Sequence, residues 1–295
     1  MNTTNILHSY RNGNVDITLY DDGTKVLESS EIFNYEYPSS VDMKITDWCA
    51  LGCVFCSESS TTNGVEGDYD FMIQSLKQLP RGTEIALGGG ETLSYSRIID
   101  LLREMKNLGL VANLTTNQGN LKTYYPLLER IIDEDLVYGI GISITSNNYT
   151  YIKKVTEKSS NVVFNIIAGI HNPSVIDEIA SHVENPKFAL LGYKTHGFGK
   201  SYRNISVDRS IKQWYMYTPT YFGKYMISFD NLSIEQLNMK RMFTDSAWDK
   251  YYIGDEGSHS MYIDSINKSY AINSRTDKEF HKKDISIKDF FDSIK

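Results

Sequence analysis

At 295 residues with a net charge of −7, the chain has no general basic surface, which argues against nucleic acid or an anionic membrane as its partner. Hydrophobic residues make up 41% and charged residues 23%, which suits a soluble globular protein with a sizeable core. The apolar stretch VVFNIIAGI (162–170) is too short for a membrane helix, and MNTTNILHSYRNGN lacks the basic-then-apolar order of a secretory signal, so the expected location is the cytoplasm.

In chain order, VDITLYDDGTKVLE (15–28) reads as a hairpin turning at DDG. VDMKIT (41–46) is a strand leading into a cysteine-bearing loop, and 70–79 is a short helix stopped by Pro80. TEIALGG (83–89) is the next strand. In 94–108, Ile98, Ile99, Leu102 and Met105 recur at helical spacing, with Gly109 as C-cap. LVANLTT (110–116) precedes a helix over 121–132 with an apolar stripe through Tyr124, Leu127, Leu128, Ile131 and Ile132. VYGIGISIT (137–145) and NVVFNIIAG (161–169) are strands. A helix over 174–183 is capped by Ser174, and KFALLGYK (187–194) is the sixth strand of the series. These Ile-, Val- and Leu-rich runs suggest strands buried on both faces.

Such alternation implies parallel strands with right-handed crossovers. The expected fold is α/β: a partial (β/α)6 TIM-like barrel with an N-terminal hairpin over 1–39, a core over 40–200 and a C-terminal α+β extension over 201–295. In the extension, YMISFD (225–230) reads as a strand, 231–243 as a helix and 260–273 as a second hairpin. Both flanks are expected on the barrel edges or over its mouth.

All 3 cysteines of the chain fall in CALGCVFC (49–56). That is poor statistics for core packing. A disulfide suits neither a reducing compartment nor an odd count. Structural zinc needs four ligands, and the 6 histidines are scattered. An iron–sulfur cluster remains, and three thiolates on four irons would leave one iron open.

The pattern C-x3-C-x-Phe-C resembles the signature of the radical S-adenosylmethionine (radical SAM) superfamily. The resemblance implies a [4Fe–4S] cluster on Cys49, Cys53 and Cys56, with S-adenosylmethionine on the open iron. It also implies reductive cleavage to a 5′-deoxyadenosyl radical, and Phe55 near the adenine. GGGET (88–92) is similar to the family's Gly-Gly-Glu-Pro motif through Gly89, Gly90 and Glu91, with Thr92 where proline is usual. By the same resemblance TTN (115–117), with Thr116 and Asn117, then Ser143 and Asn165, fall where the family places cofactor contacts. GYKTHGFGK (192–200) and ISFDNLSIEQL resemble segments of unassigned radical SAM proteins, some of them phage-encoded.

With every cysteine committed, none remains for an auxiliary cluster or as a thiol hydrogen donor. Hydrogen abstraction from a small molecule or nucleotide is the first expectation. A peptide or protein substrate, including the target of a radical activase, is the alternative; a non-catalytic iron–sulfur or zinc protein stays open. The resemblance implies a flavodoxin- or ferredoxin-type electron donor. Substrate-side candidates at the strand ends are Lys194, His196 and Asp230, with Asp47 and Glu58 beside the cysteine loop. Lys200 joins Lys194 and His196 in a basic, glycine-rich loop suited to an anionic group.

Overall fold

The computed structural model describes residues 4–295. A nine-stranded sheet forms the centre. Its middle is β4 (Ser40–Thr46), β5 (Glu84–Gly89), β6 (Val111–Asn117), β7 (Gly139–Ser143), β8 (Val162–Ile167) and β9 (Lys187–Leu191), which lie side by side in chain order and are all parallel. These are the six expected strands. Between them run α1 (Tyr69–Leu76), α2 (Ile98–Leu108), α3 (Leu121–Asp133), α4 (Thr150–Lys158) and α5 (Val175–Ala180).

The strands alternate rather than being apolar on both faces, which corrects the expectation. Val41, Met43 and Ile45 pack with Ile85, Leu87, Ile140, Ile142, Phe164 and Phe188 against the helices. The intervening positions, such as Asp42, Lys44, Thr115, Gly141, Ser143 and Asn165, line the inner face. That face is small and polar, which leaves room inside the curve of the sheet. The outer face supplies the cohesion: each fully buried large side chain there contributes roughly 1.5–3 kcal/mol, and truncating Phe164, which has no exposed surface, would cost about 3–5 kcal/mol.

The sheet also grows at both edges. Following α6 (Phe198–Tyr202) and α7 (Ile205–Tyr217), β10 (Met226–Phe229) pairs in parallel with β9. Beyond α8 (Asn231–Gln236) and α9 (Asp245–Tyr251), β11 (Ser260–Asp264) pairs in parallel with β4 and antiparallel with β12 (Ser269–Ala271). The expected second hairpin is therefore present, and residues 201–295 contribute three strands to the central sheet as well as flanking it. The chain ends in α10 (Ile287–Ile294).

Two local expectations change. The helix expected over 231–243 breaks at Asn238, whose φ of +46° is left-handed, and resumes as a short 3-10 turn. Ser174 makes no side-chain capping bond.

β1 (Ile6–Asn12), β2 (Val15–Tyr20) and β3 (Lys25–Glu28) form a separate antiparallel sheet, one strand more than the expected hairpin. Its DDG turn plugs the N-terminal end of the main sheet. Tyr138 donates from its hydroxyl to the Tyr20 carbonyl at 2.6 Å, and Lys25 pairs with Glu84 at 2.8 Å. Gly23 sits at φ +92°, where a Cβ would lie 2.6 Å from the Asn161 side-chain oxygen.

At the opposite end the two sheet edges approach through side chains. Lys194, past β9, donates to Ser274 Oγ, past β12, at 2.7 Å. Asn231 donates to the Gly254 carbonyl at 3.2 Å. The arrangement is a curved, partial barrel whose seam is bridged by loops.

Candidate active site

The cysteine loop leaves β4 and is tied back at its root. Cys49 N donates to Thr61 O at 2.9 Å, and Asp47 Oδ1 accepts from Val65 N at 2.6 Å. Gly90 N donates to Thr46 O at 2.7 Å and Glu91 N to Trp48 O at 2.8 Å, so the GGGE segment clamps the loop onto β5. A Cβ on Gly89 would lie 2.2 Å from Thr46 O, and one on Gly90 2.2 Å from Trp48 O. Crowding by the cysteine loop thus requires these glycines, independently of any ligand.

One open cleft of about 1080 Å³, solvent mouth included, lies at the C-terminal ends of the strands. All eleven residues singled out for cluster and cofactor line it: Cys49, Cys53, Cys56, Phe55, Gly89, Gly90, Glu91, Thr116, Asn117, Ser143 and Asn165. This is the end of a parallel sheet where ligands gather.

Glu91 has 1% of its surface exposed and is the polar knot of the site. Its carboxylate accepts from Thr116 Oγ1 at 2.7 Å, from Leu93 N at 3.2 Å, from Asn117 N at 3.4 Å and from Asn120 Nδ2. Burial pushes its carboxyl up, and these four donors pull it back. It fastens the end of β5 to the end of β6. Thr145 Oγ1 donates to Asn117 Oδ1 at 2.8 Å, extending the framework to β7.

The three thiols are partly buried and free. Burial raises the Cys49 and Cys53 thiols, and Cys56 raises both further. Three thiolates this close are disfavoured unless a cation offsets them, so the donor set suits a positively charged iron–sulfur core. Among the described residues no three His, Cys, Asp or Glu side chains converge as ligands of one ion would. Two buried hydroxyls on the wall, Ser60 Oγ and Thr92 Oγ1, have no partner, as a wall built for a polar ligand leaves them.

The substrate-side candidates separate. Lys194 lines the cleft. His196 lies outside its lining; its Nε2 is buried without a partner, and burial followed by the Lys194 charge holds its pKa down. Asp230 caps α8 by accepting from Ser233 N at 2.8 Å and holds Gly192 N at 2.9 Å. Asp47 braces the loop, while Glu58 lines the cleft and pairs with Lys44 at 3.0 Å. Lys200 is exposed. The 192–200 segment packs on the cysteine loop: Phe198 N donates to Cys56 O at 2.9 Å, and the Phe55 and Tyr202 rings lie 5.9 Å apart. Sequence reasoning missed Lys44 and Asn120. Only Asn120, three residues past TTN, carried a local signal.

Residues 43–172 match the model of the Radical SAM superfamily. A "Tungsten-containing aldehyde ferredoxin oxidoreductase cofactor-modifying protein" of Pyrococcus furiosus is 29% identical over 159 residues, which are 49% of this chain and 44% of that protein. By fold, the chain is similar to Streptococcus suis SuiB bound to precursor peptide SuiA, with a TM-score of 0.64 at 13% identity over 88% of this chain and 65% of SuiB. It is also similar to native anSMEcpe with bound AdoMet and Cp18Cys peptide, at a TM-score of 0.55 and 12% identity over 86% of this chain and 79% of that one. The chain thus spans less than half of the curated relative.

Residues 43–172 thus carry a Radical SAM domain, and members of that superfamily are enzymes that use a [4Fe–4S] cluster and S-adenosylmethionine. Among the described residues no helix is long and apolar enough to cross a membrane.

Proposed function

We propose that Cys49, Cys53 and Cys56 hold a [4Fe–4S] cluster and that the chain abstracts hydrogen from an organic substrate bound beside it. A cluster so held would supply, with S-adenosylmethionine bound beside it, the one-electron reduction that breaks the cofactor's carbon–sulfur bond and frees methionine. The observation that carries this reading is the convergence of the three thiols, the GGGE strand end, Thr116, Asn117, Ser143 and Asn165 on one cleft.

The protein's own groups bind and orient. Glu91 and Asn120 fix the floor on which the methionine end would rest. Asn117, Ser143 and Asn165 offer hydrogen bonds to carboxylate or ribose. Phe55, whose ring lies 5.9 Å from that of Tyr202, gives an aromatic wall for the adenine. The electron is supplied by a flavodoxin- or ferredoxin-type donor.

A small polar substrate is the first reading, because polar inner-face residues adjoin the cleft. A peptide substrate is the second, favoured by the fold shared with SuiB and anSMEcpe, both of which were solved with peptides. The test is anaerobic reconstitution with iron and sulfide, then dithionite and S-adenosylmethionine. Slow release of 5′-deoxyadenosine and methionine is expected even without substrate. Cluster-loaded protein that releases neither would overturn the proposal.

A further inference from the structure

The cysteine loop and the helices packed on it carry exposed apolar side chains. Val54, between Cys53 and Phe55, is 61% exposed, and Ile205 at the start of α7 is 65% exposed. Phe198 and Tyr202, one turn apart on α6, are exposed as well. α6 is seated directly on the loop. A Cβ on Gly197 would lie 2.2 Å from Ser57 O. Phe198 N donates to Cys56 O at 2.9 Å, and the Phe55 and Tyr202 rings lie 5.9 Å apart. None of Val54, Phe198, Tyr202 and Ile205 lines the cleft. They form a second surface close to the thiols, and exposed apolar patches of this kind mark interaction sites.

The rim of this surface is basic in an acidic chain. Residues 194–212 hold five Lys or Arg against Asp208 alone, while the whole chain carries −7. Asp208 pairs with Arg203 at 3.1 Å. Among the described residues, Lys200, Arg209 and Lys212 are exposed with no carboxylate within ion-pair reach. Ile205, Arg209 and Lys212 recur at helical spacing, opposite the buried Val207, Ser210 and Trp214, so they form one exposed stripe of α7. An apolar centre with a cationic rim is the anatomy of a docking surface for an acidic protein.

We propose that this face docks an acidic flavin-carrying protein, the flavodoxin-type donor, and that electrons enter here while substrate enters through the cleft. This rests on the radical SAM reading, which requires a one-electron donor. The exposed rings of Phe198 and Tyr202 favour a flavin carrier, because a flavin presents an apolar aromatic edge that packs on such rings. The reduced flavin gives up one electron and the oxidised [4Fe–4S] core takes it. No bond forms or breaks, and no proton passes between the proteins. Phe55, next to Cys56 and in ring contact with Tyr202, links the docking surface to the thiols.

The test mixes the cluster-loaded full chain, saturated with S-adenosylmethionine, with a purified flavodoxin under anaerobic conditions. Two quantities are read: the dissociation constant for oxidised flavodoxin, and the stopped-flow rate at which reduced flavodoxin loses one electron. Arg209→Glu with Lys212→Glu should weaken binding and slow transfer about tenfold or more at low salt, and the difference should shrink at high salt. Ile205→Ser should slow transfer at both salts. Lys77→Glu with Lys288→Glu makes the same charge change where α1 ends beside α10, and should alter neither quantity. Unchanged binding and transfer in the Arg209 and Lys212 pair, or an equal effect of the control pair, would overturn the proposal. So would transfer from a ferredoxin with none from flavodoxin. Dithionite needs no docking, so the 5′-deoxyadenosine release it drives in the same wild-type preparation reports separately on the parent reading. Release with dithionite but no electron from flavodoxin sinks the docking proposal alone; no release with either reductant sinks the parent reading and the proposal with it.

Discussion

The amide of Gly90 donates to the carbonyl of Thr46 at 2.7 Å, at a crossing so tight that a Cβ on Gly90 would lie 2.2 Å from Trp48 O. The glycine motif and the cysteine loop are therefore one structural unit. Gly90→Ala should displace the loop root and lower the iron bound per chain by more than half, by iron analysis after anaerobic reconstitution. Gly88 is the control: nothing lies within 4 Å of its Cβ position, which lines the cleft. Gly88→Ala should bind iron normally and weaken S-adenosylmethionine binding instead.

Lys44 and Glu58 form an ion pair whose side chains are only 8% and 17% exposed. Glu58→Gln leaves the ammonium buried and should cost about 3 kcal/mol in urea unfolding. Replacing both, Lys44→Met with Glu58→Leu, should recover most of that loss. If the single and double variants are equally destabilised, the pair is not the source.

His259 is 8% exposed, and burial followed by the Lys25 charge holds its pKa down at about 4, against 6.5 in the unfolded chain. The folded state therefore binds its proton less tightly than the unfolded state. Its contribution is fully present above pH 6.5 and is lost as pH falls towards 4. Between pH 7.5 and 5 the loss should be about 2 kcal/mol. Urea midpoints at the two pH values, with His259→Gln lacking this component, check it.

Cys53→Ala should remove the cluster's brown colour while leaving far-UV circular dichroism and the urea midpoint nearly unchanged. The loop stands at a strand end, and Cys53 has no part in the helix-packed core. A variant that unfolds would show the loop to be part of the core.

Much of this was legible in the sequence because it is local. The six central strands announce themselves through runs such as 83–89 and 161–169, and Gly109 caps α2 in the left-handed conformation as expected. What stayed hidden is non-local. No pattern says that Ser260–Asp264 pairs with Ser40–Lys44 more than two hundred residues away, which needs the folded chain. β1, ILHSYRN, carries too many polar residues to read as a strand, and α4, TYIKKVTEK, too few apolar ones to read as a helix.

The cluster and its open iron are tested most directly by low-temperature EPR of the anaerobically reconstituted, dithionite-reduced chain, recorded with and without S-adenosylmethionine. The account predicts a reduced four-iron signal that changes when S-adenosylmethionine is added and is absent in Cys53→Ala. A cluster signal indifferent to S-adenosylmethionine, or no cluster signal and bound zinc instead, would contradict it.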